Sequence, residues 1–463
     1  MDTPAASAHA RRACAFACSI LCWSTIVWVA CVSAAVAASD PGVRSGPGAG
    51  NPLSGLTPDQ TTLFMAGEAS FSEVEQLTDG LGPRFNLDSC AGCHAYPAQG
   101  GSSPPVNPQA TIATAMGARN TVPSFIAVNG PIREVRYKFG ANGARDGGVH
   151  SLFVISGRTD ASGSAAGCTA VQEDFNTQFA RGNVSLRIPT PTFGAGLMEN
   201  IPDSTLAANL AANARIKAQM GIAGHLNTEG NDGRVARFGW KAQNVSLLMF
   251  SGEAYNVEMG ITNELFQTER DLNPSCQMAR TPNDVTGKTT IATTTDALSD
   301  IEKFSLFMRF LAPPAPSPSS PGGSASIARG RQIFTQIGCA LCHTPSLTTD
   351  GAQVAALANQ PVALFSDLAL HHMGARLADN ILQGNAAGDE FRTAPLWGLG
   401  QRVFLLHDGR TSDLVQAIQS HASGAAPGPN GGTVASEANR VVAGFDNLHD
   451  ASEQDLLNFL RSL

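Results

Sequence analysis

Cys90, Cys93 and His94 form one C-x-x-C-H unit, and Cys339, Cys342 and His343 form a second. Two thiols three positions apart on a helical turn reach the two vinyl groups of one haem, and the next residue, His, then sits under the iron. The competing chemistry is zinc, because Cys-x-x-Cys is also half of a tetrahedral site. Structural zinc takes four protein ligands, and no clear second half-site lies near either motif. The spacing therefore reads as two covalently bound haems c, with His94 and His343 as iron ligands.

The other cysteines sort by position. Of the 10 in the chain, Cys14, Cys18, Cys22 and Cys31 lie in an apolar N-terminal run, and only Cys168 and Cys276 remain outside the motifs. In an oxidising compartment two leftover cysteines most simply form a disulfide. Two unpaired buried thiols are the alternative. Thr411 to His421, TSDLVQAIQSH, places Leu414, Ile418 and His421 on one helix face. His421 thus points toward a core. A hydrogen-bonded core histidine is the plainer reading, and in a haem domain a sixth iron ligand is the sharper one.

The elements that must position these groups follow from composition and pattern. The chain has 463 residues, 43% hydrophobic and 15% charged, with net charge −8. That fits a globular protein with a real core and no nucleic-acid partner. Arg11 and Arg12 precede the apolar run Ala13 to Val36, and Ala35-Val36-Ala37 offers a cleavage site, so residues 1–37 read as an export signal. A retained membrane anchor and a weak lipobox at Cys31 are the competing readings. Residues 38–56 are rich in Gly, Pro and Ser and read as disordered. A Pro/Ser/Gly linker, 312–326, separates a haem part at 57–311 from another at 327–463. Each part sets aromatic residues before its motif (Phe64 and Phe71; Phe334) and closes on an amphipathic helix, Ser299 to Leu311 and Ser452 to Leu463, with the serines as expected N-caps. The expected fold is mainly α with irregular loops and some short β: two cytochrome c-like domains, the first carrying an insertion from about Ser102 to Arg234. Strand-like pieces there include Leu152 to Ile155 and Leu186 to Ile188.

Five segments carry a resemblance: Gly80–Gly101, Ile188–Ser204, Arg237–Phe266, Phe365–Gly374, and FRTAPLWGLGQRVFLLHDGR at Phe391–Arg410. They resemble the bacterial di-haem cytochrome c peroxidase superfamily, and within it the di-haem oxidoreductases labelled as peroxidases or thiol oxidoreductases, relatives of the rubber oxygenases. The resemblance implies that His421, which stands where the peroxidases carry a methionine after His407-Asp408-Gly409, ligates the second haem. Imidazole in place of thioether lowers the haem potential. It implies that Trp240 carries electrons between haems, with core packing as the plainer role. It implies that Glu258, in Asn256-Val257-Glu258-Met259, is a distal carboxylate that takes a proton from bound peroxide and returns it to the leaving oxygen. A Glu that merely caps or pairs with a neighbouring turn is the alternative. Tyr255 reads as a pocket wall, a redox partner or a packed aromatic. His371 is close to the second haem with its role open. His407, Arg392 and Arg410 hold propionates or the fold, and His150 is a loop histidine near the pocket. The peroxidases' calcium site is not recoverable from this sequence.

The implied function is an exported, periplasmic or secreted, peroxidase-like enzyme. Hydrogen peroxide or a related oxidant is reduced at the first haem, with electrons from a small cytochrome or cupredoxin entering through the second. A haem-dependent dioxygenase or protein-oxidising enzyme, like the rubber oxygenases, and a di-haem electron carrier are the other two readings. The thiol oxidoreductase label has little support, because both C-x-x-C pairs are consumed by haem.

Overall fold

Thr57 starts the helix Pro58–Ser72 with a capping box: its hydroxyl accepts from Gln60 N–H at 3.2 Å, and its own N–H donates to Gln60 Oε1 at 3.0 Å. This helix crosses Asp300–Phe310, which begins at Ser299 with Glu302 completing the same device. Gly67 lies at the crossing, where a Cβ would sit 2.4 Å from Lys303 O, so any larger residue would push the helices apart. Phe64 and Phe71 then pack on Phe307, with ring centroids 5.3 and 4.8 Å away.

The same arrangement recurs. Gly323–Gln336 crosses Asp450–Ser462, and a Cβ on Gly330 would lie 2.0 Å from Asp455 O. Phe334 packs on Phe459 at 5.5 Å. Each crossing also offers one aromatic to a motif histidine: Phe71 lies 6.0 Å from His94, and Phe334 lies 6.3 Å from His343. The weak internal repeat is therefore a pair of glycine-tightened helix crossings, each supporting one C-x-x-C-H turn.

The computed structural model describes residues 37–463 apart from 45–47, 113, 229, 231, 288–292, 317–320 and 428–432. Helices dominate and strands are short, as expected. The insertion supplies a three-stranded antiparallel sheet in the order Val149–His150, Glu134–Tyr137, Val184–Arg187. Glu134 pairs with Arg187 in its register, and Arg136 lies two along from Glu134 on the same face. Phe153–Val154 pairs instead with Arg84–Phe85, ahead of the first motif. Cys168 and Cys276 are disulfide-bonded, with Cα atoms 4.5 Å apart, and tie the insertion to the chain beyond the Leu247–Met259 helix.

Three boundaries differ from expectation. Residues Ala38–Leu463 form one compact unit, and the segment expected to be disordered is pinned to its far end. Asp40 accepts two bonds from Arg461, at 2.7 and 2.6 Å, and Arg44 N–H donates to Gly400 O at 2.8 Å. Composition sees few apolar groups there and misses this buried charge pair. The expected linker ends early: Gly322, at φ 70°, caps a helix that already begins at Gly323. The last helix is capped by His449, and Ser452 lies inside its first turn. All of the predicted leader but Ala37 lies outside the described residues.

Candidate active site

Both motifs fold the same way. The helix Cys90–Cys93 starts at Ser89, and His94 N–H donates to Cys90 O at 3.0 Å. The short 3-10 turn Cys339–Leu341 does likewise, with His343 N–H donating to Cys339 O at 2.9 Å. All four thiols are unpaired. His94 donates through Nδ1 to Gly101 O at 2.9 Å, and His343 through Nδ1 to Phe365 O at 3.0 Å. A carbonyl can only accept, so each Nδ1 carries the proton and each Nε2 is the nitrogen left for a metal. Burial lowers the pKa of both, that of His343 to about 4 with His421 adding to the effect, which keeps them in the neutral, ligating form.

The first cavity, about 1170 Å³ of atom-free space, is lined by Cys90, Cys93 and His94 together with Glu258, Tyr255 and Trp240. Glu258 projects from the helix Leu247–Met259, which Ser246 caps and Gly260 ends in the left-handed conformation. Asn86 fixes it twice: Nδ2 donates to Glu258 Oε2 at 2.6 Å, and the Asn86 N–H donates to Glu258 O at 2.6 Å. Glu134 faces the same cavity, and its Oε1 accepts from Arg136 Nε at 2.6 Å. Burial and the neighbouring Glu134 push the Glu258 carboxyl well above its ordinary range. Burial also raises Glu134, but the Arg136 and Arg187 guanidiniums overcome it and hold Glu134 below its ordinary value. The sequence suggests Glu258 as a carboxylate base; this setting shifts it toward the protonated form. Tyr255 donates to Glu75 Oε1 at 2.7 Å, and burial lifts Glu75 to about 8. His150 stands outside the cavity, paired with Glu173 and Asp146 and stacked on Tyr137 at 3.7 Å.

The second cavity, about 1460 Å³ of atom-free space, holds Cys339, Cys342, His343 and His421 on its walls. His421 ends the helix Leu414–Ser420, which Asp413 caps, and its Nδ1–H donates to Ala417 O at 2.7 Å. Its Nε2 is therefore also left for a metal. His371 also lines the wall, but both ring nitrogens are taken, Nδ1 by Glu437 at 2.7 Å and Nε2 by Asp367 at 3.0 Å. That clamp leaves it no lone pair for iron. Cys342, Asp367 and His371 bring ligand atoms within 4.8 Å of one another, but among the described residues no fourth ligand joins them to make the tetrahedral zinc site. Arg392 and Arg402 reach the same cavity, and burial lowers both to about 10. Neither has an ion-paired carboxylate among the described residues. Arg410 is instead bound to Asp408 at 2.7 Å and serves the fold.

Trp240 lines both cavities. Its indole N–H donates to Ile188 O at 2.8 Å, and the Ile188 N–H donates to His407 O at 2.8 Å. Arg392 N–H donates to Trp240 O at 2.9 Å. His407 stacks on Phe391 at 4.2 Å and lies edge-on to Trp240 at 6.4 Å, and burial holds it neutral with a pKa near about 4.

Residues 145–463 match the family described as "Di-haem oxidoreductase, putative peroxidase". The chain belongs to this family. The second motif lies inside the matched stretch and the first ahead of it. A di-haem oxidoreductase carries two haems, and the two cavities fit them: each is lined by a free thiol pair and a histidine anchored through Nδ1 and held toward its neutral form. Among solved structures, the di-haem peroxidase BthA from Burkholderia thailandensis E264 is 14% identical, over 92% of this chain and 94% of that one, with TM-score 0.36. Hydrazine synthase of Kuenenia stuttgartiensis is 14% identical over 92% and 98%, with TM-score 0.35. A MauG-like protein associated with microbial copper homeostasis is 17% identical over 57% and 89%, with TM-score 0.27. No curated protein matches the chain. As a di-haem oxidoreductase of a peroxidase family, the protein is an enzyme.

Sequence reasoning missed Glu134, Arg136, Arg187 and Arg402. The first three come from strands of the insertion, whose pairing no local pattern reveals. A signal existed in the alternation Glu134-x-Arg136, which sets opposite charges on one strand face.

Proposed function

We propose that this di-haem oxidoreductase reduces hydrogen peroxide or a small related oxidant in the first cavity, fed by electrons that enter through the second. The observation that carries the reading is the asymmetry of the two cavities. The first pairs one histidine with an acidic carboxyl, Glu258, whereas the second pairs two imidazoles, His343 and His421, and holds its carboxylate Glu437 in an ion pair with His371. A site that must move protons keeps an acid, and a site that only stores electrons keeps two ligands.

Cys90 and Cys93 would hold the first haem through thioether bonds, with His94 to its iron. Cys339 and Cys342 would hold the second, with His343 and His421 to its iron. Arg392 and Arg402 supply charge for its propionates. The bound haems would supply, one electron each, the two-electron chemistry that O–O cleavage needs. Glu258 gives a proton to the leaving oxygen, and Asn86 fixes the carboxyl's orientation. Trp240 is the aromatic bridge, held at its indole by Ile188 and at its carbonyl by Arg392. The polar wall of Glu134, Arg136 and Arg187 argues against an apolar, rubber oxygenase-like pocket. The reading includes export to the periplasm, where the Cys168–Cys276 bond persists, and a small cytochrome or cupredoxin as donor.

One observation favours the electron-carrier reading: Met259 and Met308 also line the first cavity, and a thioether could close that iron. The electron paramagnetic resonance spectrum of the holo-protein separates the two. One high-spin and one low-spin haem, with peroxide turnover, is the expected result. Two low-spin haems without turnover would favour the carrier.

A further inference from the structure

We propose that Glu134, from the insertion, is a positioning residue for the peroxide reaction: its carboxylate, fixed by Arg136, accepts a hydrogen bond from the Glu258 carboxyl, so that the pair presents one shared proton to the first cavity. This rests on the peroxidase reading given above.

The geometry is a closed set of partners. Glu134 stands on the strand Glu134–Tyr137 and Glu258 on the helix Leu247–Met259, and both side chains line the cavity that holds His94. The two carboxyl groups lie within hydrogen-bond reach of each other. Two carboxylates cannot both keep full charge at that separation in a buried site, so the pair retains a proton. Which member holds it is set by the neighbours. Arg136 Nε donates to Glu134 at 2.6 Å, and Arg187 stands opposite Glu134 in the sheet register. Arg136 therefore acts first on Glu134, and Arg187, itself ion-paired with Asp379 at 2.6 Å, adds positive charge on the same side. Glu258 receives the neutral amide of Asn86 at 2.6 Å. Among the described residues, Arg270 also acts on Glu258, Glu253 acts on Arg136 from the helix that carries Glu258, and Arg133 lines the same cavity. Glu134 is thus the ionised partner and Glu258 the proton carrier.

The proton balance follows. Reduction of one hydrogen peroxide takes two electrons and two protons and gives two waters. The Glu258 O–H bond breaks toward the leaving oxygen as the O–O bond breaks, and that oxygen departs as water. The pair is left with two negative charges, a state that draws the next proton from solvent. Both electrons come from the external donor.

The test reads the protonated carboxyl directly. In the holo-protein, infrared difference spectra across a pH titration follow the C=O band of Glu258, assigned by its loss in Glu258→Gln. The expected result is that Glu134→Gln moves the disappearance of this band at least one pH unit lower. The freed Arg136 and the loss of like charge both then favour Glu258 carboxylate. The alkaline limb of kcat/KM for peroxide should move by the same amount, so activity above the limb falls roughly tenfold for each pH unit that the limb moves. Glu134→Asp, which keeps the charge, should return the band most of the way to its parent position, and it serves where Glu134→Gln fails to load haem. A band that titrates identically in both Glu134 variants and the parent overturns the proposal. A Glu134-dependent band in a protein that does not turn over peroxide upholds the pair and overturns the peroxidase reading instead.

Discussion

Asp40 and Arg461 stand at opposite ends of the described chain and are joined by two hydrogen bonds of 2.7 and 2.6 Å. Arg461 is fully buried and also donates to the carbonyls of Leu399, Arg402 and Ser412. Asp40 further accepts from Leu414 N–H at 2.8 Å, at the first residue of the helix that ends in His421. The N-terminal strap therefore braces the element that presents a proposed iron ligand.

Removing one partner of such a pair strands a buried charge. Asp40→Ala should lower unfolding stability by about 3 kcal/mol, measured by urea denaturation of the holo-protein. Burial raises the Asp40 carboxyl, but the bonds from Arg461, Gly42 and Leu414 outweigh it and leave the pKa depressed. A depressed carboxyl contributes stability that is present above its unfolded value near 3.8 and lost as pH falls through the lower folded value. The difference between parent and variant should thus narrow below about pH 4, and a constant difference down to pH 2 would exclude the linkage.

His421→Ala should turn a low-spin haem high-spin while both haems stay attached. Electron paramagnetic resonance and mass spectrometry check the two halves of this statement. His371→Ala should leave the low-spin signal in place, because its nitrogens already serve Glu437 and Asp367. A high-spin signal in His371→Ala with the fold intact would contradict the ligand assignment.

Glu258→Gln keeps the shape and the bond from Asn86 but has no proton to give. The peroxide reaction should slow by about 10²–10⁴-fold in stopped-flow mixing. An unchanged rate would remove the acid role.

Trp240→Phe removes the indole N–H that Ile188 O accepts and shortens the aromatic bridge. Electron exchange between haems after rapid reduction should slow at least several-fold, with peroxide binding nearly unchanged. Equal exchange rates in parent and variant would move the route elsewhere.

Cys168→Ser opens a bond across a sequence separation of 108. The variant should lose about 2–4 kcal/mol. The loss should appear equally in the parent under reductant, read by thermal unfolding with haem absorbance as the probe.

The haem motifs and the helices closing each half were legible because their signals are local. C-x-x-C-H needs one turn, and Ser299 with Glu302 needs four residues. The inward orientation of His421, onto the wall of the second cavity, was legible because its helix face is apolar. Glu134 and Arg187 were not, since their meeting depends on the register of strands separated by dozens of residues of loop. The strap at Asp40 failed for a related reason. Its anchor is a charge pair closed at the far end of the chain, and low local hydropathy conceals it. His371 could be placed near the second haem from its motif, but its double carboxylate clamp required Glu437, which belongs to no recognisable pattern.

The peptide of Ile188 gives its carbonyl to Trp240 and its N–H to His407. On the proposed route through Trp240, conduction and mechanical joining would share one residue. If electrons pass through Trp240, a loosened joint would show up as lost current between irons before it showed up as lost affinity for oxidant. Because only backbone atoms of Ile188 take part, most side-chain changes there should be silent. Proline, which lacks the N–H, would uncouple the hinge from the wire.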